Sequence, residues 1–234
     1  YPLLTIIYPL LVFASFFSIL LMAHLIAYFL KNKGTTNSLL LLFFVCCSFY
    51  GNSQGNWTQL SDFAGSARFR SVSFTIGNNG YVGTGYMGSG ATFDFWEYDP
   101  SNDNWTQKTD VSTIPRYWGI GFAIGTKGYI GLGYNSSYPA YQDLWEFNSL
   151  TNSWTPKSNF AGVPRIAGIA FSINGKGYVG TGWDGTTFFR DLWEFNPTTN
   201  SWTQRTSMPG HSRRSAIAFS IGNKGYVGTL FQHI

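Results

Sequence analysis

Four arginines, Arg68, Arg116, Arg165 and Arg213, recur at intervals of 48, 49 and 48 residues. They are the residues best suited to chemistry on an anion. A guanidinium presents its N–H groups in a planar fork that grips carboxylate, sulfate or phosphate through paired hydrogen bonds. The competing reading is that an arginine at every station ties repeats together, through main-chain carbonyls or through the Asp and Glu of the recurring "DFWE" and "DLWE". A position kept in every copy serves the scaffold first. Three stretches in one slot of the repeat differ from each other: "YMGSGATF" (86–93), "YNSSYPAYQ" (134–142) and "WDGTTFFR" (183–190). They supply Tyr134, Tyr138, Tyr141, Trp183, Asp184, Phe188, Phe189 and Arg190. Aromatic rings with polar edges stack on sugars and anchor protein partners, and they also serve to cap the ends of neighbouring repeats.

The residues needed for covalent or metal chemistry are sparse. His211 and His233 are the only histidines after residue 56, the two cysteines Cys46 and Cys47 precede it, and no acid pair stands apart from the repeated "DLWE". The reading is therefore of a non-enzyme without cofactor or metal. The net charge of +4 is spread singly over the repeats, without a basic run or helix face, so no nucleic-acid partner is expected. "NWT" at Asn56 and Asn104 and "NSS" at Asn135 match glycosylation sequons, although the first two fall in a repeated turn where asparagine is a turn former.

The elements that must position these residues are legible in the same register. "GYVGTGY", "GYIGLGY", "GYVGTGW" and "GYVGT" begin at Gly80, Gly128, Gly177 and Gly225, and Trp57, Trp105, Trp154 and Trp202 each open a "WT" pair. After each arginine the chain alternates, as in Ile169, Phe171 and Ile173 against Ala170 and Ser172, which is the period of a strand. "GNNG", "GTKG", "NGKG" and "GNKG" come next and supply the positive φ of tight hairpins, so the glycine strand is the hairpin partner. "DLWEF" gives a third strand and "WTQR" a fourth. A sheet of about 48 residues cannot bury both faces alone, so copies must stack, and radial stacking gives a β-propeller. Glycines such as Gly180 and Gly182 are expected to let neighbouring backbones approach there, with large Ile and Phe faces nesting against small Ala, Ser and Gly faces.

Residues 1–55 differ in composition from the repeats. Residues 10–30 are uncharged and long enough to cross a bilayer, and residues 31–55 run from Lys31 and Lys33 through an apolar "LLLLFFVCCSF" to small polar residues, the order of a secretory signal peptide. The expectation is a leader over 31–55, with 1–30 either an anchor helix or a segment absent from the mature protein. The propeller, residues 56–234, is then secreted, periplasmic or at the cell surface.

The repeats resemble the kelch family, whose pattern is a glycine-rich second strand, an aromatic at the end of the third, and a tryptophan at fixed distance beyond. Tyr98 and Trp105, Phe147 and Trp154, and Phe195 and Trp202 carry that pattern. Where kelch repeats usually have adjacent glycines, this chain has Gly-Thr-Gly or Gly-Leu-Gly, as in a divergent subgroup. The resemblance implies an all-β fold, here an incomplete arc of about three and a half four-stranded blades. It also implies binding by the loops around the channel mouth, where the arginines enter. Galactose oxidase has a kelch-like propeller, but its cysteine-linked tyrosine and paired histidines have no counterparts here. Sialic acid mutarotases are also kelch propellers, and through the arginine arc they supply the alternative to a non-catalytic module that binds a protein or glycan.

Overall fold

The computed structural model describes residues 57–112, 114–136 and 139–228, nearly all within one compact unit, Gln59–Ile234. The apolar stretch at 10–30, the leader at 31–55 and Tyr138 lie outside the described residues. Among the described residues no helix is long and apolar enough to cross a membrane.

Fourteen strands succeed one another in the described residues. The first sheet holds β1 (Val72–Ile76), β2 (Asn79–Tyr86), β3 (Ala91–Asp99) and β4 (Asn104–Lys108). The second holds β5 (Ile120–Ile124), β6 (Lys127–Gly131), β7 (Leu144–Asn148) and β8 (Ser153–Lys157). The third holds β9 (Ile169–Ile173), β10 (Lys176–Gly180), β11 (Leu192–Asn196) and β12 (Ser201–Arg205), and β13 (Ile217–Ile221) pairs with β14 (Lys224–Gly228). Each four-stranded sheet is antiparallel in chain order, as the repeat requires. The hairpin turns take the expected backbone: Asn174 and Gly175 have φ of 50° and 72°, and Gly77, Gly125 and Gly222 lie between 57° and 59°.

The sheets stack in succession, with β1 against β5, β5 against β9 and β9 against β13. The first strand of each repeat is thus the innermost of its blade. The core lies between sheets: Val72, Phe95, Ile130 and Phe147 fill the first interface, and Ile120, Phe122, Leu144, Val179 and Phe195 the second.

Each interface has a knob and a socket. A Cβ built on Gly128 would lie 2.3 Å from the ring of Phe74, one on Gly177 2.3 Å from Phe122, and one on Gly225 2.4 Å from Phe171. In each case the phenylalanine comes from the inner strand of the preceding blade. The glycine opening the second strand therefore receives the neighbouring ring. Gly180 and Gly182 serve a different approach from the one expected of them. A Cβ on Gly180 would meet the Asp191 carbonyl at 2.4 Å, and one on Gly182 the Ile166 carbonyl at 2.8 Å, both within the same blade. Gly182 does reach the next blade through its N–H, which donates to the Arg213 carbonyl at 2.7 Å.

Because Phe122 is itself buried, it has little room to retreat. Gly177→Ala is expected to lower stability by about 1–3 kcal/mol through overpacking, measured by denaturant unfolding. Phe122→Leu in the same chain should recover part of the loss. Equal costs with and without the Phe122 change would refute the knob-and-socket account.

The outer rim is closed by a second repeated device. Asn152 Oδ1 accepts from the Thr109 N–H, while Trp154 Nε1 donates to the Thr109 carbonyl. Asn200 and Trp202 hold Ser158 in the same way, and Asp103 and Trp105 hold Ser61. Both main-chain groups of the residue leaving one blade are thus satisfied by the next. Asp103, Asn152 and Asn200 all sit at φ of 49° to 52°, a backbone that Asn and Asp tolerate better than most residues.

Candidate functional site

The three arginines Arg68, Arg116 and Arg165 face inward, into their own blades. Arg68 donates through both terminal nitrogens to Asp94, Arg116 to Asp143 and Arg165 to Asp191, at 2.5–2.9 Å. One nitrogen of each also donates to the carbonyl in the middle of the Gly-Thr-Gly or Gly-Leu-Gly run, that of Thr84, Leu132 or Thr181. Those three residues have φ of 54° to 57°, and the turned backbone aims the carbonyl at the guanidinium. Trp96, Trp145 and Trp193 donate their indole N–H to the same aspartates at 2.8 Å, which gives the repeated Asp-x-Trp its meaning.

Arg116 and Arg165 are wholly buried, so the expected arc of anion-binding arginines does not form. Burial pushes the Asp94 carboxyl up, but hydrogen bonds from Arg68, Trp96 and Thr92 and the arginine charge outweigh it, holding the group below the usual carboxylate range. Arg213 donates to the carbonyls of His211 and Pro209.

Two of the loop aromatics expected to bind ligand are caps on these arginines. Tyr141 lies 5.1 Å from the Arg116 guanidinium, and Phe189 lies 3.9 Å from that of Arg165. Asp184 closes its own turn by accepting from the N–H groups of Thr186 and Thr187. Arg190 is exposed and donates to the Gly210 carbonyl.

Tyr134, Trp183 and Phe188, also expected to bind ligand, gather around residues that their sequence pattern alone does not single out. The segment entering each inner strand pairs with a residue at or just beyond the end of the second strand, Phe69 with Tyr86, Tyr117 with Tyr134 and Ile166 with Trp183. The two sets of loops therefore share one end of the sheets. There, Arg70, Trp118, Ala167 and Ser215 form a main-chain series: Ser215 N–H donates to Ala167, Ala167 to Trp118 and Trp118 to Arg70, at 2.8–3.0 Å. All four have φ of 53° to 58°.

Trp118 carries the Arg70 guanidinium 3.7 Å above its ring centroid and stacks with Tyr134 at 6.1 Å and 9° between planes. Trp183 stacks with Phe188 at 6.0 Å and 19°, and the Arg214 guanidinium lies 4.6 Å from Trp183 and 6.0 Å from Trp118. A signal for Arg70, Trp118 and Arg214 does exist in the sequence. The two residues after each scaffold arginine read Phe-Arg, Tyr-Trp, Ile-Ala and Arg-Ser, a varying pair inside a fixed register.

Among the described residues no group of three or more His, Cys, Asp or Glu could hold a metal ion. What this end offers is a layer of arginine and aromatic side chains, suited to holding a partner by stacking and by guanidinium hydrogen bonds.

The model of the Kelch motif matches residues 173–209. No curated protein matches the chain. A solved structure described as "Structure of YjhT" superposes with a TM-score of 0.60 at 20% identity, covering 72% of this chain and 59% of that one. The fold is thus that of a kelch-type β-propeller, and the chain spans less than two thirds of the solved chain it matches.

Proposed function

From this kelch-type fold, we propose that the protein is a non-catalytic recognition module that grips a protein partner at the end of the blades where the inner-strand lead-ins meet the loops after the second strands. The observation that carries the reading is the packing of Trp118 and Trp183. Both lie among Arg70, Arg214, Tyr134 and Phe188; Trp118 stands at a position that differs from blade to blade, and Trp183 where the other blades carry Tyr86 and Tyr134. Trp, Tyr and Arg dominate the energetics of protein interfaces. A glycan reading needs open indole faces for sugar stacking, and here those faces already carry guanidinium or aromatic groups. The mutarotase reading depends on the arginine arc, of which Arg68, Arg116 and Arg165 are engaged by Asp94, Asp143 and Asp191 and Arg213 by main-chain carbonyls.

Trp183→Ala is expected to weaken partner binding by about 2 kcal/mol, some thirtyfold, while the thermal melt shifts little because Trp183 is only partly buried. Cross-linking of a bound partner should map to residues 69–70, 117–118, 134–142 and 183–190. Cross-links confined to the outer strands β4, β8 and β12 would overturn the assignment. So would arginine-dependent turnover of a sugar.

A further inference from the structure

We infer that Asn174 is a site of spontaneous covalent modification, at which the side-chain amide is lost to attack by the Gly175 nitrogen and the β9–β10 hairpin is left with an isoaspartyl linkage. The described residues contain two Asn-Gly pairs, Asn79–Gly80 and Asn174–Gly175, and the fold treats them differently.

Asn174 and Gly175 form the whole turn between Ile173 and Lys176, which pair with each other. Both are exposed, and both have positive φ, the backbone of a type I′ hairpin turn. The Asn174 amide and the Gly175 N–H take part in no hydrogen bond among the described residues, and a Cβ built on Gly175 would meet nothing within 4 Å. The nitrogen is therefore open to its neighbour's side chain. The corresponding turns of the other blades begin with Gly77, Gly125 and Gly222, so this arrangement belongs to the third blade.

The second pair lies within a sheet. Asn79 opens β2 and its Nδ2 donates to Glu97 Oε1 at 2.7 Å, while Gly80 pairs with Thr75 on one side and Tyr98 on the other. Asn148, Asn152 and Asn200 precede serines, and their side-chain oxygens accept from the N–H groups of Leu150, Thr109 and Ser158. Asn135 precedes Ser136 in an exposed loop, where the serine Cβ crowds the nitrogen that would have to attack.

At mildly alkaline pH the Gly175 nitrogen gives up its proton and attacks Asn174 Cγ. The N–Cγ bond forms, the Cγ–Nδ2 bond breaks, and Nδ2 leaves as ammonia with a proton taken from water, which closes a succinimide ring. A water molecule then opens the ring. Breaking the new N–Cγ bond gives an aspartyl residue, whereas breaking the original peptide bond leaves the main chain running through Cβ and Cγ. The net change is the uptake of water and the release of ammonia, without an oxidant or cofactor. The isoaspartyl product lengthens the main chain in a turn that depends on both φ values. Gly177, the socket for Phe122, follows directly after Lys176, so loosening of the turn reaches the contact with the preceding blade.

The full chain, incubated at mildly alkaline pH, is followed by peptide mass mapping and by labelling with an isoaspartate-specific carboxyl methyltransferase. The amide-to-acid mass change and the methyl label are expected in the peptide carrying Asn174, with the Asn79 and Asn135 peptides unchanged. Asn174→Gly supplies the residue the other blades use, so it should fold normally and lose the label. In denaturant both Asn-Gly pairs should react, because the selectivity belongs to the fold. The incubated chain should melt at a lower temperature than the fresh one, whereas Asn174→Asp, which gains the charge without the longer main chain, should melt close to it.

Equal reaction of Asn79 and Asn174 in the folded chain overturns the proposal. So does an Asn174 that reacts in denaturant but not in the folded chain, or a reaction confined to Asn135. A fully labelled chain with an unchanged melt overturns the loosening of the hairpin.

Discussion

Arg165→Ala is expected to cost about 3–5 kcal/mol, the scale for removing one partner of a buried ion pair, and to lower the melting temperature by roughly 10 °C at the 2–4 °C per kcal/mol usual for a domain of this size. The side chain is fully buried, with Phe160 5.0 Å away and Phe189 3.9 Å away. Its removal takes two hydrogen bonds from Asp191 and strands the Thr181 and Val163 carbonyls. The indole N–H of Trp193 alone would remain for the carboxylate. A double change, Arg165→Met with Asp191→Leu, should recover much of the loss, because well-packed apolar groups can replace a buried pair. Unfolding curves for the three variants decide the matter. A loss under about 1 kcal/mol for Arg165→Ala, the range of an exposed pair, would mean that the pair is not part of the blade's framework.

Trp154→Ala should be comparably damaging, about 3–5 kcal/mol, for a different reason. Its ring lies 5.0 Å from Phe95 in the preceding blade and 5.0 Å from Phe147 in its own, and its N–H bonds the Thr109 carbonyl across the boundary. Trp154→Phe separates the two contributions. Phenylalanine keeps most of the ring packing and loses the hydrogen bond, so a cost of about 1 kcal/mol is expected. If Trp154→Phe were as harmful as Trp154→Ala, the hydrogen bond rather than the packing would hold the blades together.

The contrast between Trp154 and Trp183 shows what is legible in the sequence. Strands, hairpin turns and blade order are readable because they rest on local periodicity and on glycine at positive φ, both of which leave marks in neighbouring residues. Trp154 is readable as scaffold because it recurs. The arginines recur just as regularly, but recurrence does not say which anion a guanidinium meets. The answer lies 26 or 27 residues downstream in Asp94, Asp143 and Asp191, and sequence distance conceals how closely the third strand returns to the lead-in of the first.

Site residues are harder to read for a related reason. Tyr141 and Phe189 stand in varying loops yet cap recurring arginines. Trp118 and Arg70 stand beside repeated arginines yet vary. Loop variation draws attention to the first pair, and only the three-dimensional pairing of lead-in with loop identifies the second.

The main-chain series through Ser215, Ala167, Trp118 and Arg70 has a consequence for how such a protein can change over generations. Every bond in it joins an amide to a carbonyl, so none depends on which side chain each station bears. Geometry and identity are inherited separately. A copied blade arrives with its place in the series already set, and the residue at that station is free to diverge from arginine to tryptophan, alanine or serine without renegotiating the backbone. New specificities can then be written one blade at a time.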